Sequence, residues 1–235
     1  MATAELSGVS IVGAGSFNPA ILHPKWLLEK GIISEHIADH ALSVDGEKSR
    51  LIVSSQLTSF VGDWLSVQVT PQQLVVATVD QAREMDLRDV ARSIFDLLPE
   101  TPVTAIGINT DVHFRMHTET AWHEFGDRFL PKDFWEPLFS QDEWVSRSDG
   151  KRVGMRSMTV EVARRDDAPG WIRMELAPSM RLTPYGVFIG INSHYQLDVS
   201  EKRSSAADAS RVLGSQWEFA RATERELVGK LMSAI

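Results

Sequence analysis

The chain has 235 residues, of which 24% are charged and none is cysteine, and its formal net charge is −8. That composition allows a substantial core but excludes a disulfide framework, a thiolate nucleophile and cysteine-ligated zinc. The acidic balance argues against nucleic acid as a general partner, because sequence-independent phosphate binding needs a basic footprint.

The opening MATAELSGVS carries no Lys or Arg, and its apolar run at Val9–Val12 is far shorter than a signal-peptide core. No stretch approaches the ~18 consecutive apolar residues that a spanning helix needs, so a cytoplasmic chain without membrane contact is expected. Val9–Val12 reads as a strand. Pro24 then suits the first turn of a helix over Lys25–Lys30, which Gly31 stops, and a second helix is expected over Ser34–Leu42. Three strand-like runs follow: Ser54–Val61, Leu65–Thr70 and Leu74–Val79, with Pro71-Gln-Gln as a hairpin signal. Asp86 is placed to cap a helix in which Leu87, Val90, Ala91 and Ile94 recur at helical spacing up to Pro99.

From Ile106 to Met116 apolar residues alternate with Gly107, Asn109, Asp111, His113 and Arg115, which predicts a half-buried strand with one wet face. Thr118 caps a helix carrying Trp122, Phe125 and Phe129, closed by Pro131. Trp144–Ser148 reads as a strand and Asp149-Gly150 as a turn. Met158, Val160 and Val162, then Ile172, Met174 and Leu176, form a long hairpin around the charged tip 164–170. Val187–Val199 alternates again. A long helix from about Ser205 bears Val212, Leu213, Trp217, Ala220, Leu227 and Leu231 as its apolar stripe.

Ile106-Gly-Ile-Asn-Thr110 echoes Ile189-Gly-Ile-Asn-Ser193. The outward parity places Asn109, Asp111, His113 and Arg115 against Asn192, His194, Gln196 and Asp198, and a slip of one residue would invert each face. The expected fold is therefore α+β, with two pseudo-repeated halves of antiparallel β-hairpins plus a further strand and a helix. Residues 1–117 form the first half and 118–235 the second, joined in one unit. In parallel register Asp111 would face His194 and Arg115 would face Asp198.

Catalytic motifs are weak. Val9 to Asn18 imitates a dinucleotide fingerprint, but Asn18 replaces its third glycine and hairpins follow in place of a βαβ unit. Gly15-Ser-Phe-Asn-Pro19 resembles the opening of nucleotidyltransferases, yet Ile21 and Pro24 occupy the places of that family's phosphate-stabilising histidine pair. His36 and His40, and His113, His117 and His123, do not converge on one element as metal ligands must, so neither metal nor cofactor is expected. Asp166-Asp167 reads as a turn and Glu224/Glu226 as a solvated helix surface. The basic residues between Arg147 and Arg181 alternate along strands as a solvated hairpin. Of the seven tryptophans, Trp26 stands in a proline-bounded element suited to partner contact.

The order of motifs is similar to that of a sporadically distributed family of uncharacterised bacterial proteins. Phe17-Asn-Pro19, Trp64-Leu-Ser-Val-Gln-Val69 with Leu74-Val-Val76, Gly107-Ile-Asn109, the helix through Trp122 and the strand from Asn192 to Leu197 carry the resemblance. It implies no catalytic residues, and its sporadic distribution implies a mobile-element or phage-defence setting. The expectation is a non-catalytic protein that binds a protein partner or self-associates as a homo-oligomer. Asn18, His23, Trp26, Asn109, Asp111, His113, Arg115, Asn192, His194 and Gln196 are the candidate contacts. The alternative is a small-ligand or nucleotide-binding enzyme with a site between the halves, near Asn18, His23, Asn109 and Asn192.

Overall fold

Alternation along Leu6–Gly15 sends Val9 and Ile11 to a buried side and Ser10 and Val12 to a half-exposed one, and this segment is strand β1 of the computed structural model. Residues 4–45, 48–49, 51–139, 154–164, 168–197 and 204–233 are described. The expected strand at Trp144–Ser148, the turn at Asp149-Gly150, the hairpin tip at Asp166-Asp167 and Asp198 lie outside them.

Two short helices follow β1. Helix α1 (Pro24–Glu29) ends at Gly31, whose φ of +69° suits glycine, and α2 (Glu35–Leu42) is capped by Ser34, whose hydroxyl accepts from the Ile37 N–H. A ribbon of β2 (Val44–Asp45) and β3 (Lys48–Ser49) leads to β4 (Ile52–Val53), β5 (Thr58–Gly62), β6 (Leu65–Thr70) and β7 (Gln73–Thr78). The strand expected from Ser54 begins only at Thr58. Ser54 instead closes the β4–β5 turn, its hydroxyl accepting from the N–H groups of Gln56 and Leu57.

Helix α3 (Glu84–Leu97) starts before Asp86. A 3-10 turn capped by Asp80 leads into it, and Asp86 sits in its first turn, where the helix dipole favours an acid. Then come β8 (Val103–Arg115), α4 (Glu119–Phe129) capped by Thr118, and α5 (Glu136–Phe139). The hairpin of β9 (Met158–Ala163) and β10 (Gly170–Pro178), strand β11 (Gly186–Gln196) and α6 (Ala206–Ser233) complete the order.

The fold is α+β. Nine strands form one antiparallel sheet in the order β4-β5-β6-β7-β1-β8-β11-β10-β9. The sheet runs unbroken across residue 117, because β8 pairs with β11 along its length. The apolar faces of α1, α2, α3 and α6 meet Ile11, Phe60, Val76 and Ile108, while α4 meets Phe114, Ile172 and Ile189. All of these strand residues point to one side of the sheet, so these helices form one layer and, among the described residues, leave the other side open. Leu213, Trp217 and Ala220 recur at helical spacing on α6 and are all but fully buried; a large side chain so placed stabilises by about 1.5–3 kcal/mol.

The echo between the halves takes a definite form. Asn109 lies opposite Asn192, Gly107 opposite His194, and Gly190 opposite Asp111. Matching 106–110 to 189–193 maps the Asn109–Asn192 pair onto itself and exchanges the other two. A local twofold axis therefore pierces the sheet at Asn109 and Asn192. The strands are antiparallel, so the parallel pairing of Asp111 with His194 is wrong: each faces a glycine. Side-chain surroundings differ too. The Asn109 and Asn192 amides lie over Gly107, whereas the Phe188 ring lies over Gly190. The symmetry also fades outward, since the β9–β10 hairpin sits directly on β11 while β1 separates the β6–β7 hairpin from β8.

Candidate functional site: the open face of the sheet

The centre of the open face is built by the pairing register. One row of side chains crosses Ser66, Ala77, Ser10, Asn109, Asn192, Arg173 and Glu161; the next crosses Gln68, Val75, Val12, Gly107, His194 and Trp171. The two rows divide into different surfaces. From β4 to β1 the open-face positions carry no Asp, Glu, Lys or Arg, in a chain in which those types make up 24% of residues. Ile52, Val61 and Leu6 are large exposed apolar residues on this half.

On β10 and β11 the face rises into a ridge. Trp171 stacks flat on His194 with centroids 4.2 Å apart, and the Arg173 guanidinium lies 4.2 Å over the Trp171 ring. Arg173 is in turn paired with Glu161 at 2.9 Å. His194 Nε2 lies 3.4 Å from Gln196 Oε1, and the Gln196 amide donates to the Thr104 carbonyl. Burial, with Arg173 nearby, holds the His194 imidazole below its ordinary range and favours the neutral ring. Between ridge and floor, Asn109 donates to Ser10 Oγ at 3.2 Å, while Asn192 Oδ1 is enclosed without a hydrogen-bond partner among the described residues.

Asn109, Asp111, His113, Arg115, Asn192, His194 and Gln196 thus share one face, but they are not equally open. His113 is buried beneath the loop after β10, its Nδ1 2.9 Å from Ser179 Oγ and its ring beside Phe188. Ser179 also accepts from the N–H groups of Arg181 and Leu182 and is itself buried, so this pair fastens a loop and presents no nucleophile. Burial lowers the His113 imidazole from its ordinary value and raises the Asp111 carboxyl from its own, while Asp111 keeps an exposed flank. Arg115 is turned to the Thr183 carbonyl and to Glu5.

Asn18, His23 and Trp26 do not join this group. Asn18 accepts from the Ala20 N–H, His23 Nδ1 caps α1 by accepting from the Trp26 N–H, and Trp26 packs on the helix-side core. The proposed convergence of Asn18 and His23 with Asn109 and Asn192 fails because Asn18 lies past the end of β1 while Asn109 pairs at its middle. An open cleft of about 380 Å³ lies elsewhere, lined by His36, Asp63, Trp64, Arg83, Asp86 and Asp89 among others. Its charges answer one another: Arg83 pairs with Asp86 at 2.8 Å and His36 approaches Asp63 at 3.7 Å. Arg164, from the basic hairpin, is buried over the Tyr195 ring on the helix side. Among the described residues no cluster of three His, Asp or Glu is placed to hold a metal ion.

Directly behind the twofold lies a cluster that the helix pattern did not reveal. Glu224 is fully enclosed rather than solvated; its Oε2 accepts from Thr110 Oγ1 at 2.6 Å and from Arg221. Arg221, also buried, forks onto Glu84 of α3 at 2.7 and 3.2 Å, and Arg225 reaches Glu84 from the rim. Burial raises the Glu224 carboxyl above its ordinary value. Burial also opposes the charge of Glu84, but the bonds from Arg221 and Arg225 outweigh it and hold that carboxyl low. Glu226 does lie outside, paired with Lys230. The echoed pair Thr110 and Ser193 was the available signal, since both are polar at an inward position.

No known family model matches the chain and no curated protein matches it, so the residues of the face carry the functional argument by themselves. No helix among the described residues is long and apolar enough to cross a membrane.

Proposed function

We propose that the chain is a non-catalytic binding or assembly protein that recognises a protein surface, a partner's or its own, through the open face of its sheet. One observation carries this: the exposed face from β4 to β1 is free of charged side chains and borders the Trp171–His194 ridge. A sheet face kept in water is ordinarily studded with charge, whereas depletion of charge beside aromatic residues is the compositional mark of an interface core. His113 is spent on anchoring a loop and His194 on the stacked ridge, which supports a non-catalytic role. The test compares tagged wild type with Asn109→Arg as bait, scoring both co-purified proteins and the untagged chain. Wild type should retain a protein that Asn109→Arg loses at equal folded content. Equal retention by both baits, or no retention by either, refutes the proposal.

A further inference from the structure

We infer that the occupant of the open face is a second copy of this chain, stacked sheet to sheet so that two helical layers lie outside and two sheets inside. This rests on the binding role proposed above and names its partner. Three observations lead to it.

The first is electrostatic. Each copy carries a net charge of −8, so two copies repel over most of their surfaces. The patch formed by Gln68, Val75, Ala77, Ser10, Val12 and Ala14 meets its own image without bringing like charges together. A strongly charged partner would gain nothing from it, because the patch offers no charge to pair.

The second is size. Six strands from β5 to β11, spaced ~4.8 Å apart, span about 29 Å. The ten residues of β1 extend ~34 Å at ~3.4 Å each. Because β5, β6 and β7 are only five or six residues long, the footprint comes to roughly 800 Å², the scale of the ~800 Å² per partner of a stable interface.

The third is shape and apolarity. Over Gly8–Ala14 and Val75–Ala77 the floor is glycine, alanine, serine and valine, which lets a second sheet approach to the ~10 Å of face-to-face packing. Ile52, Val61 and Leu6 are more than two-fifths exposed around that floor, and Val79 is 74% exposed beside Gly8. With the uncharged floor between them, these side chains make an apolar surface of the kind that is covered in an assembled state.

Analytical ultracentrifugation across micromolar concentrations tests the inference on the full chain. Wild type should sediment at twice the mass of the chain. Val75→Glu places a carboxylate on the floor and should weaken self-association by at least ~100-fold, the scale of an unpaired charge buried in an interface. Far-ultraviolet circular dichroism and the melting temperature of Val75→Glu should match wild-type monomer, since Val75 is half-exposed in a single copy. Lys25→Glu, on an exposed helical position, should remain a dimer. A monomeric wild type, or a Val75→Glu that dimerises as tightly as wild type, overturns the inference. If wild type is monomeric and yet loses a different retained protein on Asn109→Arg, the face is a binding surface and only its occupant has been misidentified. Should Val75→Glu fail to fold, Gln68→Glu makes the same test from an exposed site on β6.

Discussion

Replacing Arg221 by Met isolates the buried charge cluster behind the twofold. The side chain is 3% exposed and its guanidinium bonds to Glu84, Glu224 and Thr110; Met fills much of its volume and supplies no donor. Glu84 keeps Arg225 at 2.7 Å, so most of the loss falls on Glu224, which is left fully enclosed with the Thr110 hydroxyl. Removing one partner of a buried pair costs about 3–5 kcal/mol. Glu224 has an escape: it can take a proton. From an ordinary value of 4.5, protonation at pH 7 costs about 1.4 kcal/mol per unit, so at most ~3.4 kcal/mol. The deficit of Arg221→Met should therefore be about 3–4 kcal/mol at pH 7 and smaller at pH 5.5, where a proton costs Glu224 less. Urea unfolding followed by tryptophan fluorescence reports it, since Trp217 lies one turn from Arg221. Groups that Arg221 does not touch cancel in the difference between variant and wild type. The double variant Arg221→Met/Glu224→Gln should lose the pH-dependent part. A deficit below ~1 kcal/mol at pH 7, or one that grows as pH falls, would refute a buried pair held by Arg221.

In the wild type, the Glu224 carboxyl is raised in the fold, so its contribution to stability is complete below about pH 4.5 and declines as pH rises through the folded value. Glu224→Gln should flatten that slope in thermal melts taken from pH 4 upward. His113 and His194 act oppositely: both are held below the ordinary 6.5, so the stability they lend is complete above that value and is lost as pH falls through the folded ones. Melts of His194→Phe between pH 7.5 and 5 should fall less steeply than wild type; an unchanged slope would contradict the neutral ring in the ridge. Gly62→Ala should destabilise by about 2 kcal/mol, because its Cβ would stand 2.5 Å from the Ile37 carbonyl oxygen and force α2 away from β5. Chemical denaturation measures it, and a loss below a few tenths would mean that α2 can shift freely. Thr118→Ala removes the cap bond to the Ala121 N–H and should cost about 1 kcal/mol in the same assay.

Periodicity and capping by themselves determined most of the local structure. Thr118, Ser34 and Gly31 mark helix ends through bonds within a few residues, and the alternation of 106–116 and of the 158–176 hairpin is set by the two-residue repeat of a strand. The echo of Gly-Ile-Asn and the shared wet face of Asn109 and Asn192 were legible for the same reason. What pairs with what was not. A strand carries the same alternation in parallel and antiparallel ladders, so only the folded sheet decided that β8 and β11 run in opposite directions and that β1 lies between β8 and the β6–β7 hairpin. Burial of polar groups was likewise decided far from the chain's local pattern. Glu224 and Glu226 sit two residues apart on one helix, yet one meets Thr110 across 114 residues of chain and the other pairs with Lys230 on the surface of its own helix. His113 alternates as an exposed residue should, but a loop 66 residues away covers it. The charge-free floor could not be seen as a surface at all until pairing register laid residues from five separate strands side by side, because contacts of that range leave no trace in the spacing of neighbours.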